Sequence, residues 1–264
     1  MAASGTAKTQ GALWNLAAND WACLLEWHMA PAWEMALTLA GVGRGTRFLD
    51  GGCGSGGACK IAARLGAHVT GLDAAPALLA IARDRVPDGK FEAGELQDLP
   101  FADGTFDAVL TANSLQYTAD PAATLAGIRR VLSPLGTYVV VQWGRAEKCD
   151  MERSLFPAVR AVAPPPPGTP APLALSDIAV MNRMLDAAGF SIIADQMVPI
   201  PFEFPSMADA WRAQRSAGPL QKAIQIAGEE AIRKAVEEAM QSYQRPSGMI
   251  RLNNEFRVVV SVPN

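Results

Sequence analysis

The sequence is poor in the groups that usually announce a catalytic or metal centre. It holds two histidines, three tyrosines and four cysteines among 264 residues. Cys23, Cys53, Cys59 and Cys149 form no C-x-x-C pair and have no histidine at ligand spacing, so the expectation is buried or free thiols and no metal. Charged residues make up 19% of the chain, the net charge is -3, and no block of lysine or arginine occurs. A nucleic-acid partner, which needs a basic patch, is therefore not expected. No stretch approaches the ~18 uninterrupted apolar residues of a membrane span. The opening MAASGTAKTQ lacks the basic flank and apolar core of a secretory signal. These absences predict a cytoplasmic protein with no membrane partner, either monomer or homodimer.

What is present is apolar material, 50% of the residues, arranged as strands alternating with helices. The first forty residues look helical: Trp14, Trp21, Leu24, Leu25 and His28 share one face between Leu13 and His28, and Pro31 begins a second helix that ends at Gly41 and Gly43. Strands are then expected at Arg47–Leu49, His68–Leu72, Phe91–Ala93, Phe106–Thr111 and Thr137–Trp143. Helices separate them: Ser55–Leu65 stopped by Gly66, Pro76–Val86, and one capped by Asp120 with Pro121 at its first position. SPLG at Ser133–Gly136 reads as a turn. This alternation argues for a parallel sheet covered on both faces. PPPPGTPAP (164–172) is neither helix nor central strand and reads as a stiff surface connector. Beyond it come a helix at Ser176–Gly189, an extended segment at Phe190–Phe204, a polar helical stretch from Ser206 to Tyr243 and a last strand at Glu255–Val262.

The chemistry concentrates where the first strand meets a helix, in FLDGGCGSGG. Dense glycine there lets the backbone turn sharply and lets a ligand approach the main chain. Asp73 ends the second strand 23 positions after Asp50, near the ~20-residue offset of a carboxylate that holds ribose hydroxyls. Its two oxygens can accept from both hydroxyls of one ribose, and it also suits the N-cap of the helix at Pro76. An adenosine ligand is expected. Gly52, Gly54 and Gly56 give G-x-G-x-G, not the G-x-G-x-x-G that seats a pyrophosphate.

With these residues the segment resembles the class I S-adenosylmethionine-dependent methyltransferases, in particular the small-molecule group with LD-x-G-C-G-x-G at the first turn. GLDAAPALLAIAR, GELQDLPFADGTFDAVLTANSLQY and RRVLSPLGTYVVV follow in the matching order, so the resemblance spans roughly residues 46–143. It implies an α/β fold: a doubly wound, mostly parallel, Rossmann-like sheet of seven strands with the last one antiparallel. It divides the chain into a helical cap at 1–43 and a methyltransferase domain at 44–264 with a substrate lid at 206–250. It implies S-adenosylmethionine as cofactor, with Gly52 and Gly54 against the methionine part and Asp50 orienting the loop and reaching the amino group. Asp73 would take the ribose, Ala74 flank the adenine, Glu95 accept from the adenine amino group and Leu96 offer its N–H to the ring. Asn113 would hold the methionine through its backbone. Gly51 replaces the usual apolar residue, which loosens the turn, and Glu95 replaces a commoner aspartate.

The activity implied is in-line methyl transfer to O, N or C of a small-molecule acceptor, with secondary metabolism as the setting. The rivals are a nicotinamide-dependent oxidoreductase on a similar sheet and a cofactor-binding protein that has lost transfer. For a base, needed only if the acceptor carries a proton, the candidate is His28, with Glu26 and His68 weaker. Gln116 and Tyr117 stand where an acceptor would be oriented. Trp14 and Trp21 either close the cofactor site or pack on the core. Trp211, Arg212 and Arg215 lie in the lid.

Overall fold

In a computed structural model, which describes residues 5–166, 169 and 173–264, seven strands form one sheet in the order β3-β2-β1-β4-β5-β7-β6. They are β1 (Arg47–Gly51), β2 (His68–Asp73), β3 (Lys90–Ala93), β4 (Phe106–Ala112), β5 (Leu132–Trp143), β6 (Phe190–Phe204) and β7 (Ile250–Pro263). The first five pair in parallel, and β7 runs antiparallel between β5 and β6. The antiparallel last strand is thus as expected. The reason the central strands read as unbroken apolar runs is visible in their packing. Phe48, Leu110, Val139 and Val258 point to one core, while Leu49, Val109, Val140 and Val259 point to the other.

The sheet's strand order reverses between β1 and β4. In open α/β sheets the crevice outside the carboxyl ends at such a point is where ligands bind. Helices α4 (Gly57–Arg64), α5 (Pro76–Arg85) and α6 (Pro121–Val131) make the crossovers. Asp120 caps α6 as expected, its carboxylate accepting the Ala123 N–H at 3.0 Å. Strand β5 begins five residues earlier than the alternation suggested, because Leu132 pairs with Phe106 across an irregularity that absorbs the SPLG turn.

The N-terminal region departs most from expectation. The helical face from Leu13 to His28 is broken: α1 (Ala7–Trp14) gives way to a tight turn, a single turn α2 (Ala18–Asp20), a wide turn over Trp21–Leu25 and a tight one over Glu26–Met29. Ala17, at φ -142 and ψ 41, interrupts the ladder, and Asn15 spends its side chain on the Ala77 N–H at 2.8 Å. Only α3 (Ala30–Leu39) runs regularly, with Ala32, Ala36 and Leu37 buried in the sheet's core. After β5 come α7 (Phe156–Val162) and α8 (Ile178–Ala187). The connector at 164–172 falls largely outside the described residues. The polar stretch after Ser206 is three helices, α9 (Met207–Arg215), α10 (Gly218–Ala227) and α11 (Glu229–Met240), divided at the Gly218–Pro219 start and at Gly228 (φ 86). No helix among the described residues is long and apolar enough to cross a membrane.

Candidate active site

A cavity runs along the carboxyl edge of the sheet. From Asp73 on β2 to Phe202 on β6 it crosses five strand intervals, roughly 24 Å at about 4.8 Å each. Its two ends differ in character. Glu95 and Asp73 mark the end at β3 and β2; Trp143, Phe256 and Phe202 mark the end at β5, β7 and β6.

The glycine turn sits at the middle, over the reversal point. Gly52, Gly54 and Gly56 have φ of 80, 54 and 79, a region that residues with a Cβ rarely enter. Close approach adds a second constraint, because a Cβ on Gly52 would stand 2.3 Å from Ser114 Cβ. The N–H groups of residues 52–56 are all committed within the protein. Gly52 and Cys53 donate to Leu72 O (2.7 and 3.1 Å), Gly54 to Asp73 Oδ2 (2.8 Å), Ser55 to Glu26 Oε1 (3.0 Å) and Gly56 to Cys53 O (2.9 Å). Gly51 does not loosen this turn. A side chain there would meet Leu96 Cδ1 at 2.7 Å, and Ser114 Oγ donates to Gly51 O at 2.6 Å.

At the acidic end Asp73 also accepts from Ala75 N at 2.8 Å. Burial raises its pKa, opposed by the N–H groups of Ala75 and Gly54. Helix α1 lies across this end. Gly11 packs so tightly on the loop after β2 that a Cβ would stand 2.1 Å from Ala74 O. The α1 terminus is capped from outside, Ala7 N donating to Glu95 Oε2 at 2.7 Å, and Thr6 Oγ1 donates to Tyr117 O at 2.7 Å. Trp14 meets Trp21 edge-on at 4.7 Å, and both rings line the cavity.

Among the expected residues, Gly52, Gly54, Asp73, Ala74, Glu95, Leu96, Asn113 and Trp21 all border this one cavity. Asn113 adopts φ 52, among the described residues the one left-handed position that is not glycine. Such strained backbone clusters at ligand sites. Asn113 Oδ1 and Trp21 Nε1 are buried without a hydrogen-bond partner, and so are Trp33 Nε1 and Gln214 Nε2, which line the same cavity.

Two expected residues lie elsewhere. Asp50 is buried beneath the turn, not in the cavity wall; Cys59 Sγ donates to its Oδ2 at 3.4 Å, and Oδ1 has no partner. Burial pushes its pKa up to about 7, against the Cys59 bond, with Glu26 and Asp73 adding to the rise. His28 lies apart from the cavity. Its Nδ1 faces Leu25 O at 3.1 Å, its Nε2 takes the Glu203 N–H at 3.0 Å, and its ring packs on Phe202 and Phe204. Both nitrogens face the main chain, and the ring lies outside the cavity lining. His68 is exposed at the far end of β2. Gln116 is buried outside the lining while Tyr117 borders it, its phenol pKa raised by burial. In the α9 region Arg212 pairs with Asp20 (2.6 Å) and Arg215 with Glu229 (2.9 Å), Trp211 is buried, and Gln214 alone reaches the cavity.

Sequence reasoning missed the Glu26 anchor. This buried carboxylate accepts from Ser55 N and Ser55 Oγ and from Arg85 Nη1 at 2.5 Å, and Arg85 Nη2 donates to Ala22 O at 2.8 Å. Glu26 also stands at the start of α4: a Cβ on Gly57 would be 3.3 Å from its carboxyl carbon.

Comparison with known proteins agrees with this architecture. Residues 49–140 match a family model described as a methyltransferase domain. A protein of Mycobacterium tuberculosis (strain H37Rv), of uncharacterised function, is 36% identical over 141 residues, 52% of this chain and 51% of its own. An uncharacterised methyltransferase of Synechocystis is 36% identical over 115 residues, 42% of this chain and 54% of its own. The chain thus spans about half the length of the curated relatives it matches. A putative methyltransferase from Bacillus halodurans superposes with a TM-score of 0.59 at 16% identity, covering 88% of this chain and 98% of that one. The resemblance carried by the sequence motifs holds in the fold.

Proposed function

We propose that this chain, carrying a methyltransferase domain on the class I methyltransferase fold, moves a methyl group from S-adenosylmethionine to a small organic molecule held in the same cavity. The observation that carries the proposal is the pairing of a ribose-ready carboxylate, Asp73, with the unpartnered buried Trp21 Nε1 and Asn113 Oδ1 in one cavity. Each oxygen of Asp73 keeps a free lone pair after its main-chain bond, enough for the two hydroxyls of a ribose. Trp21 Nε1, 3.5 Å from where a Gly54 Cβ would lie, faces the turn and suits the methionine carboxylate. Ala74 and Leu96 suit the two sides of an adenine, and Glu95 its amino group, while Asn113 suits the methionine end. Asp50 acts from beneath, stiffening the turn.

When bound, the sulfonium cofactor supplies an electrophilic methyl carbon. The chain's task is to align an acceptor behind that carbon, an orientation effect that removes several kcal/mol from a barrier, and to keep water out. Residues 1–43 we take as the cap over the cofactor end and 206–250 as the lid over the acceptor end. The nicotinamide alternative is disfavoured because the N–H groups of residues 52–56 are already bonded and the Glu26 carboxylate stands at the helix start where a pyrophosphate would lie.

Calorimetry tests the proposal. S-adenosylhomocysteine should bind in one-to-one stoichiometry and NADH should not; binding of NADH alone would refute it.

A further inference from the structure

The acceptor end of the cavity is built almost wholly of apolar side chains. Trp143 packs against Phe256 at 4.5 Å and Phe156 at 5.7 Å, and Phe202 stacks on Phe256 at 6.0 Å. Met151 and Leu220 also line the cavity. Among the described lining residues the titratable groups are Asp73, Glu95 and Tyr117, all near the cofactor end, and no lysine, arginine or histidine lines it. The charges nearest the aromatic walls in sequence are already used. Asp150 accepts from Asn253 N at 2.7 Å, and Glu255 takes a two-pronged bond from Arg145 at 2.9 and 2.7 Å. Neither lines the cavity. Among the polar side chains that do line it is Gln214, 1% exposed, whose Nε2, like Trp33 Nε1, has no partner.

Resting on the methyl-transfer reading above, we infer that the acceptor is an apolar, ring-bearing phenol or enol whose oxygen is held by Gln214 Nε2–H and which ionises without help from a protein base. A phosphorylated or otherwise strongly anionic acceptor would find no cation among these walls. A neutral hydroxyl would find no base. An aryl oxide meets both conditions, because it gives its proton to water before it reacts and its single charge faces the sulfonium. Its oxygen then forms the new bond to the methyl carbon as the sulfur–carbon bond breaks. The electron pair of the broken bond stays on sulfur, leaving a neutral thioether and a neutral aryl methyl ether.

The probe is 2-naphthol, with 6-cyano-2-naphthol as a more acidic partner and 2-naphthyl phosphate as the anionic control. In the protein saturated with S-adenosylhomocysteine, 2-naphthol should bind and alter tryptophan fluorescence, and the phosphate should not. With S-adenosylmethionine, both naphthols should give methyl ethers, and the pH midpoint of kcat/KM should move down with the more acidic one. Gln214→Leu should raise the naphthol KM severalfold and leave the Kd for S-adenosylhomocysteine unchanged. Gln214→Glu, of the same shape, should raise that KM further. A shared pH midpoint for the two naphthols, tighter binding of the phosphate, or no naphthol binding to the S-adenosylhomocysteine complex would overturn the acceptor assignment alone. Failure of S-adenosylhomocysteine itself to bind would overturn the methyl-transfer reading and this assignment with it.

Discussion

Glu26 accepts the main-chain N–H of Ser55 at 3.0 Å across 29 residues of chain. The contact joins the N-terminal segment to the glycine turn and places a fixed negative charge at the start of α4, where oriented N–H groups favour an anion. In dinucleotide-binding sheets the ligand's own pyrophosphate fills that place. Here the protein fills it, with Arg85 as counter-ion, and the turn is left to meet a ligand by close packing. One carboxylate thereby shapes the site without touching the reacting atoms.

Asp73 is expected to dominate the affinity for the nucleoside. Losing a charge-assisted hydrogen bond costs about 1.5–3 kcal/mol, so Asp73→Ala should weaken S-adenosylhomocysteine at least tenfold by calorimetry. Asp73→Asn, which keeps an acceptor for Gly54 N, should lose less. Equal affinity in all three proteins would remove Asp73 from the site.

Gly11 tests whether α1 is a cover. A Cβ there would meet Ala74 O at 2.1 Å, and an overpacked contact of this kind costs about 1–3 kcal/mol. In Gly11→Ala the amides of residues 7–14 should exchange faster with solvent and S-adenosylhomocysteine should dissociate faster. Unchanged exchange across α1 would show that the helix is not seated on that loop.

Asp50 gives the fold a pH dependence. Its pKa is about 7 in the folded chain against a reference of 3.8, so between these values the native state holds a proton that the unfolded state has released. The group's contribution to stability is full below 3.8, declines as pH rises and is gone above 7. Between pH 6 and 8 the loss is about 1.4 kcal/mol. Urea unfolding at the two pH values should show this difference in the wild type and a smaller one in Asp50→Asn. An identical pH difference in the two proteins would contradict the assignment.

His28 should prove structural. In His28→Ala, turnover with any accepted substrate should stay within about twofold, while stability falls by about 1 kcal/mol through the lost Glu203 and Leu25 bonds. A large loss of kcat without a loss of stability would restore it as a base.

Much of this was legible in the sequence because it rests on local pattern. The central strands are apolar throughout since both faces are covered, and glycine spacing with Asp73 at the next strand end reports the turn directly. The N-terminal break was not legible, because Asn15 and Glu26 find their partners 62 and 59 residues away, at Ala77 and Arg85. Arg212 and Arg215 drew attention by their charge, but in α9 they face outward to Asp20 and Glu229. Gln214 shares the buried stripe of Ala210, Trp211 and Ala213, and a polar residue at that helical spacing was the signal available. His28 was singled out by rarity, which says nothing about where its ring points.

A structure determined with S-adenosylhomocysteine tests the central claim most directly. The account predicts both ribose hydroxyls within hydrogen-bonding distance of the Asp73 carboxylate and the methionine carboxylate beside Trp21 Nε1. A ribose bound away from Asp73, or density for the ligand outside the crevice between Gly52 and Asn113, would contradict it.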